Sequence, residues 1–229
     1  MPLDLTRIRA LCFDLDGTLS DTDDQYVDRL ARPLRQVKFL FPGGDPHPFA
    51  RRLVKAGESP GNVFLGMFDR LGADSALSRL GDFIYRLGLD KHPEPFVLVA
   101  GVRELLEQLR ERYPLSVITV RSKRAAQRFL DQFELNGWFS CVASELTCRH
   151  TKPYPDPILW AAAQMGVAPD QCLMTGDTAI DIRAGKAAGA QTVGVLCGFG
   201  GEGELRRAGA DMILQSTAEL AEILMRADQ

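Results

Sequence analysis

Residues 11–21 read LCFDLDGTLSD, and the fold turns on this stretch. Leu11, Cys12, Phe13 and Leu15 make the apolar run of a buried strand, yet Asp14 and Asp16 interrupt it two positions apart. Side chains two apart on a strand share a face. Two carboxylates therefore stand together at the strand's end, where Gly17 and Thr18 turn the chain. Charges about 4 Å apart repel by about 4 kcal/mol at an effective dielectric of 20. A paired acid on a buried strand needs a positive partner to offset that cost.

Four further apolar runs follow: LSVIT (115–119), SCVAS (140–144), CLMTG (172–176) and TVGVL (192–196). Helical patterns separate them. Val102, Leu105, Leu106 and Leu109 recur at i, i+3, i+4 and i+7. Ser122 is placed to cap the helix that continues KRAAQRFLDQF, and Asp156 followed by Pro157 reads as an N-cap with proline at the first helical position. Gly166 and Gly189 sit where helices end. Strands rich in Val, Ile and Leu without polar alternation predict a sheet covered on both faces. Strand alternating with helix predicts an α/β fold, a Rossmann-like doubly wound parallel sheet.

Residues 20 to about 98 break the rhythm with helical patterns and no convincing strand. Leu30, Leu34, Val37 and Phe41 share one helix face, with Pro33 a kink. Val63, Phe64, Met67, Phe68 and Leu71 form a second face, and Leu77, Leu80, Ile84 and Leu87 a third. PGGDPHP (42–48) and HPEP (92–95) are turn or linker material. The expected organisation is a core of 1–19 and 98–229 interrupted by an all-helical module over 20–97.

Bulk properties narrow the function classes. The 229-residue chain carries a formal net charge of −3, so no global basic field recruits nucleic acid or anionic lipid. It is 45% hydrophobic and 25% charged with a mean hydropathy of −0.09, and no apolar run approaches the ~18 residues of a membrane span. The N-terminal residues lack a signal-peptide pattern, and a cytoplasmic location is expected. Five scattered cysteines, at 12, 141, 148, 172 and 197, form no disulfide framework. Cys12 and Cys172 read as small buried residues, and Cys141, Cys148 and His150 lack the CxxC spacing of a zinc site.

In an open α/β sheet, ligands bind beyond the carboxyl ends of the strands. The first strand ends in Asp14 and Asp16, the second in Thr119, and the fourth in Gly176 and Asp177 followed by Asp181; Lys152 lies in TKPYPDP. A divalent cation relieves such a cluster of acids, and an oxygen-rich site with few protein ligands suits Mg2+. The same cation neutralises phosphate oxygens, while lysine and threonine hold others. A carboxylate so placed attacks phosphorus, and a second carboxylate moves the protons.

Taken together, DLDGTLSD, the Thr119 strand end, KPYPDP and GDTAIDIRAGKAAGA resemble the four motifs of the haloacid dehalogenase-like hydrolase superfamily. The likeness is to its phosphoglycolate phosphatase-like branch and spans residues 8–19 and 98–226; the tail AGADMILQSTAEL fits the same branch. The module at 20–97 sits where that family carries a helical cap of the C1 type. The resemblance implies a Mg2+-dependent phosphatase acting on a small phosphorylated metabolite. Asp14 would be the nucleophile. Asp16 would be the general acid and base, its main-chain carbonyl on the metal. Thr119, Lys152 and the backbone N–H of Val120 would bind phosphoryl oxygens. Asp14, Asp16, Asp177 and Asp181 would form the metal site. The family often has Asn or Gly after the threonine; this chain has Val120 and then Arg121.

Rival readings stay open. A sugar-phosphate phosphomutase uses the same nucleophile, and a non-catalytic phosphate-binding regulatory module is a different class altogether. Asp16 argues against a dehalogenase or phosphonatase. Thr178-Ala-Ile-Asp181 also matches a capping box, which would leave Asp181 a purely structural task. GFGGEG (198–203) reads as a flexible loop because it lacks a phosphate-loop pattern. Between 29 and 55, seven basic residues face a single acid, Asp45. A solvated helix face is the plain reading; attraction of an anionic substrate is the sharper one. The physiological substrate and the oligomeric state are not written in these motifs.

Overall fold

The computed structural model describes residues 3–21, 27, 31–50 and 96–226. The chain divides into two compact units, Met1–Thr22 with Phe96–Gln229, and Asp23–Pro95.

The first unit is built on six parallel strands: β1 (Ala10–Phe13), β2 (Leu115–Ile118), β3 (Cys141–Ala143), β4 (Cys172–Gly176), β5 (Gln191–Val195) and β6 (Met212–Leu214). Six helices accompany them: α1 (Val102–Arg110), α2 (Lys123–Gln132), α3 (Asp156–Met165), α4 (Ala179–Ala188), α5 (Glu202–Ala208) and α6 (Leu220–Arg226). Strand order is β3-β2-β1-β4-β5-β6. The register sets Leu11 of β1 beside Leu115 of β2 and Leu173 of β4. The chain winds outward from β1 to β3, then returns to β4 on the other side. The crevice between β1 and β4 is thus the topological switch point of a doubly wound sheet.

Period-two alternation sends neighbouring side chains to opposite faces. Leu11, Phe13, Leu115, Val117, Leu173 and Val193 pack with Leu105, Leu106 and Leu109 of α1, Phe129 and Leu130 of α2, and Leu220 and Leu224 of α6. Ala10, Cys12, Ile118, Cys172 and Met174 pack on the other face with Ile158, Ala161 and Ala162 of α3 and Ala184 of α4. Burial on both faces explains why the strands show no polar alternation. Helix ends follow the expected chemistry in several places. Ser122 Oγ accepts from the Ala125 N–H at 3.3 Å, and Gly166 and Gly189 close α3 and α4 in the left-handed conformation. At α3 the reading shifts by one residue: Pro155 is the N-cap and Asp156 opens the first turn, where its carboxylate meets His150 Nδ1 at 3.0 Å. The sixth strand, Met212–Leu214 at the sheet's edge, has no counterpart among the expected runs.

Where the chain leaves and rejoins this unit, two segments pair antiparallel through Ser20 and Leu98. The Asp21 N–H donates to the Val97 carbonyl at 2.8 Å, and the Val99 N–H donates to that of Leu19 at 3.0 Å.

In the second unit, residues 31–34 are α-helical and pass into a 3-10 helix over Arg35–Leu40. The expected α-helical face therefore tightens two residues after Pro33 instead of running on to Phe41. Val27, Ala31 and Ala50 form a small buried cluster, and the rings of Phe41 and Phe49 lie 5.3 Å apart. The expected faces at 63–71 and 77–87, the 92–95 linker, and Arg29, Arg51, Arg52 and Lys55 lie outside the described residues. No helix among the described residues is long and apolar enough to cross a membrane.

Candidate active site

Asp14 follows β1 directly, and its N–H continues the ladder to the Thr175 carbonyl of β4 at 2.9 Å. That bond fixes the carboxylate at the switch point. Lys152 reaches it from the loop between β3 and α3, with a cis bond to Pro153. Lys152 Nζ donates to Asp14 Oδ1 at 2.5 Å and to Asp181 Oδ1 at 2.6 Å. All three side chains are at least nine-tenths buried.

Asp181 serves two partners. Its Oδ2 accepts from the Thr178 N–H at 3.0 Å and from the Thr178 hydroxyl at 2.6 Å, which is the capping box of α4. Its Oδ1 faces Lys152. The cap is thus the device that aims this carboxylate into the crevice.

Asp177 follows β4 and is fully buried. Carboxylate oxygens of Asp14, Asp177 and Asp181 lie within 4.8 Å of one another, which places each pair's repulsion at about 3–4 kcal/mol at an effective dielectric near 20. Among the described residues, Lys152 supplies the ammonium bonded to this cluster, through Asp14 and Asp181. Burial, reinforced by the charge of Asp181, pushes the Asp14 carboxyl up to about 7 against the pull of Lys152. Burial works to lower the Lys152 pKa, but Asp14 and Asp181 overcome it and hold the ammonium charged. Excess negative charge on hard oxygen donors in a dry pocket is the donor set a small divalent cation requires, so the residues present fit Mg2+.

Two glycines let the backbone close around Asp177. Gly17 has φ +72°, and a Cβ there would lie 2.4 Å from Asp177 Oδ2; a Cβ on Gly198 would lie 2.1 Å from the same atom. The Phe199 N–H donates to Asp177 Oδ2 at 2.8 Å. The 198–201 loop, read above as a flexible loop, is therefore part of the acid cluster's wall. Its glycine density carried the signal, but spacing alone does not reveal which carboxylate the loop meets.

Thr119 lies one residue beyond β2 and is buried. Its Oγ1 accepts from the Arg121 N–H at 3.1 Å, an arrangement that leaves its own proton to donate. Val120 is 53% exposed at the rim of the same sheet edge. Asp16 turns to a partner the sequence did not suggest. Arg121 Nε donates to Asp16 Oδ2 and Nη2 to Oδ1, each at 2.6 Å. All seven residues singled out from the sequence thus lie at the C-terminal edge of β1, β2 and β4 or in the loop and helix that flank it.

Comparison with known proteins follows the same lines. The haloacid dehalogenase-like hydrolase family model matches residues 11–195, and the chain belongs to that family. It is 30% identical over 227 residues to a phosphoglycolate phosphatase of Chromobacterium violaceum, covering 97% of this chain and 99% of the relative. It is 28% identical to pyrophosphatase PpaX of Anoxybacillus flavithermus, covering 95% and 97%. A hydrolase from Pseudomonas syringae superposes with a TM-score of 0.68 at 26% identity, over 95% of this chain and 98% of that one.

Proposed function

We propose that the protein is a Mg2+-dependent phosphatase that hydrolyses a small phosphorylated metabolite through a phosphoryl group carried on Asp14. The observation that carries this reading is the buried trio of Asp14, Asp177 and Asp181, with Lys152 Nζ bonded to Asp14 and Asp181. The relatives named phosphoglycolate phosphatase and pyrophosphatase favour the same chemistry.

Asp14 attacks phosphorus while Lys152, the Thr119 hydroxyl and the Val120 N–H hold the phosphoryl oxygens. Asp16 gives its proton to the departing oxygen. It then takes a proton from the water that attacks the aspartyl-phosphate, which releases phosphate and restores Asp14. Mg2+, held by Asp14, Asp177, Asp181 and the Asp16 carbonyl, would offset the excess charge of the cluster and draw electron density from the phosphoryl group. Lys152 keeps the nucleophile oriented before substrate arrives and shares its charge with the phosphoryl oxygens afterwards. The second unit serves as the cap, whose side chains choose the substrate.

The test is hydrolysis of p-nitrophenyl phosphate with Mg2+, with a chelator, and with Mg2+ restored. Activity is expected to vanish and return; chelator-resistant hydrolysis contradicts the reading. A panel that includes phosphoglycolate and pyrophosphate, ranked by kcat/KM, identifies the substrate class.

A further inference from the structure

Arg121 is buried to an unusual degree for a charged side chain on the rim of a site. Its side chain is 1% exposed, that of its partner Asp16 is 27% exposed, and its guanidinium sits 5.0 Å from the centre of the Phe96 ring. The backbone is pinned at both ends, by the Arg121 N–H on Thr119 Oγ1 and by the Glu145 N–H on the Arg121 carbonyl. A buried guanidinium is held at a desolvation cost, and a two-pronged bond to carboxylate fixes both the distance and the plane of the acid. Neither substrate-binding duty nor metal binding needs an arginine here, since Lys152 and Thr119 supply the first and the acids the second.

We propose that Arg121 is a positioning residue for proton transfer: its fork holds the partly exposed Asp16 carboxylate at the edge of the crevice, in reach of the leaving oxygen. The proton travels on one Asp16 oxygen while the other keeps its arginine bond. This inference rests on the acid role given to Asp16 in the proposed function. It predicts a dependence on leaving group that a merely structural arginine lacks. An alkyl phosphate needs a proton on its departing oxygen; p-nitrophenyl phosphate departs as a stable phenolate. Moreover, kcat/KM reports only steps up to release of that group, so the later base duty of Asp16 does not enter.

The experiment compares Arg121→Met, Arg121→Lys and Asp16→Asn on glycerol phosphate and on p-nitrophenyl phosphate. Arg121→Met is expected to lower kcat/KM on the alkyl ester by about tenfold or more, a part of the roughly 10²–10⁴-fold that general acid catalysis supplies, and to change it far less on the aryl ester. Arg121→Lys, with one charged donor, recovers part of the loss. Equal losses on both esters, no loss on either, or a gain overturns the positioning role. If the Met variant does not fold, the Lys variant decides: a smaller shift of the ratio in the same direction supports the role, and an unchanged ratio overturns it. Asp16→Asn separates the two levels of argument. If it lacks the leaving-group pattern, the acid role fails; if it shows the pattern and the Arg121 variants do not, only the positioning role fails.

Discussion

Asp14 and Asp177 show how single residues are placed by their neighbours' backbones. Asp14 is fixed by a ladder bond to β4, and Asp177 by the Phe199 N–H and the glycines that approach it. Replacing Gly198 with alanine sets a methyl group 2.1 Å from Asp177 Oδ2, so the carboxylate or the loop has to move. Displacements near 1 Å cost about a hundredfold in rate, and steady-state kcat of Gly198→Ala is expected to fall on that scale while its circular dichroism stays that of the parent. Asp177→Asn removes one negative charge from the trio. Mg2+ at a hundred times its dissociation constant stabilises a protein by about 2.7 kcal/mol. The corresponding rise in Tm is expected in the parent and absent in Asp177→Asn, read by thermal melting with and without Mg2+.

At the scale of elements, α4 is tied to the strands beside it by a pair remote from the site. Lys186 Nζ reaches Asp211 Oδ2 at 2.5 Å, and the Thr192 N–H donates to the same oxygen at 2.9 Å. Burial raises the Asp211 carboxyl, but the hydrogen bond from Lys186 and the Thr192 N–H outweigh it and leave the pKa below its ordinary 3.8. A group depressed in the folded state adds stability above its unfolded pKa and loses it as pH falls through the folded value. Asp211→Asn is therefore expected to cost about 1–3 kcal/mol at pH 7, with the deficit shrinking below about pH 4, as followed by urea denaturation at each pH. The elements themselves were largely legible. Long apolar runs such as CLMTG and the i, i+3, i+4 pattern of α1 announce themselves, because burial on both faces leaves no polar alternation to confuse them. The three-residue β6 at the sheet's edge was silent. The paired acids of DLDGT were legible for an energetic reason: two carboxylates on a buried strand demand compensation. Lys152 and Thr119 meant little alone and gained meaning only from the other motifs. The Arg121 fork was not legible, because nothing in residues 121 and 16 says that adjacent strand ends bring them together. Asp181 was half legible; the capping box was visible, but not that the cap leaves a second oxygen for Lys152.

For the whole molecule, the sheet order explains why the candidate site residues gather at one edge. The reversal between β1 and β4 opens a crevice, and β2 brings Thr119 and Arg121 to the same side. The proposed function gives substrate recognition to the second unit. There Arg32, Arg35 and Lys38 are exposed within a segment of seven basic residues and one acid. If that charge draws in an anionic substrate, Arg32→Glu with Arg35→Glu raises KM several-fold at low ionic strength, and the difference narrows as salt screens it. Michaelis constants at two salt concentrations check this, and unchanged kinetics assign the stripe to solvent.

The decisive measurement is turnover of Asp14→Asn on p-nitrophenyl phosphate in saturating Mg2+. A nucleophile that carries the phosphoryl group has no substitute at that strand end, so hydrolysis should fall to background, with the folded structure and thermal stability retained. Full turnover by the Asn protein would contradict phosphoryl transfer through Asp14 and, with it, the reading of the buried acid trio as a catalytic centre.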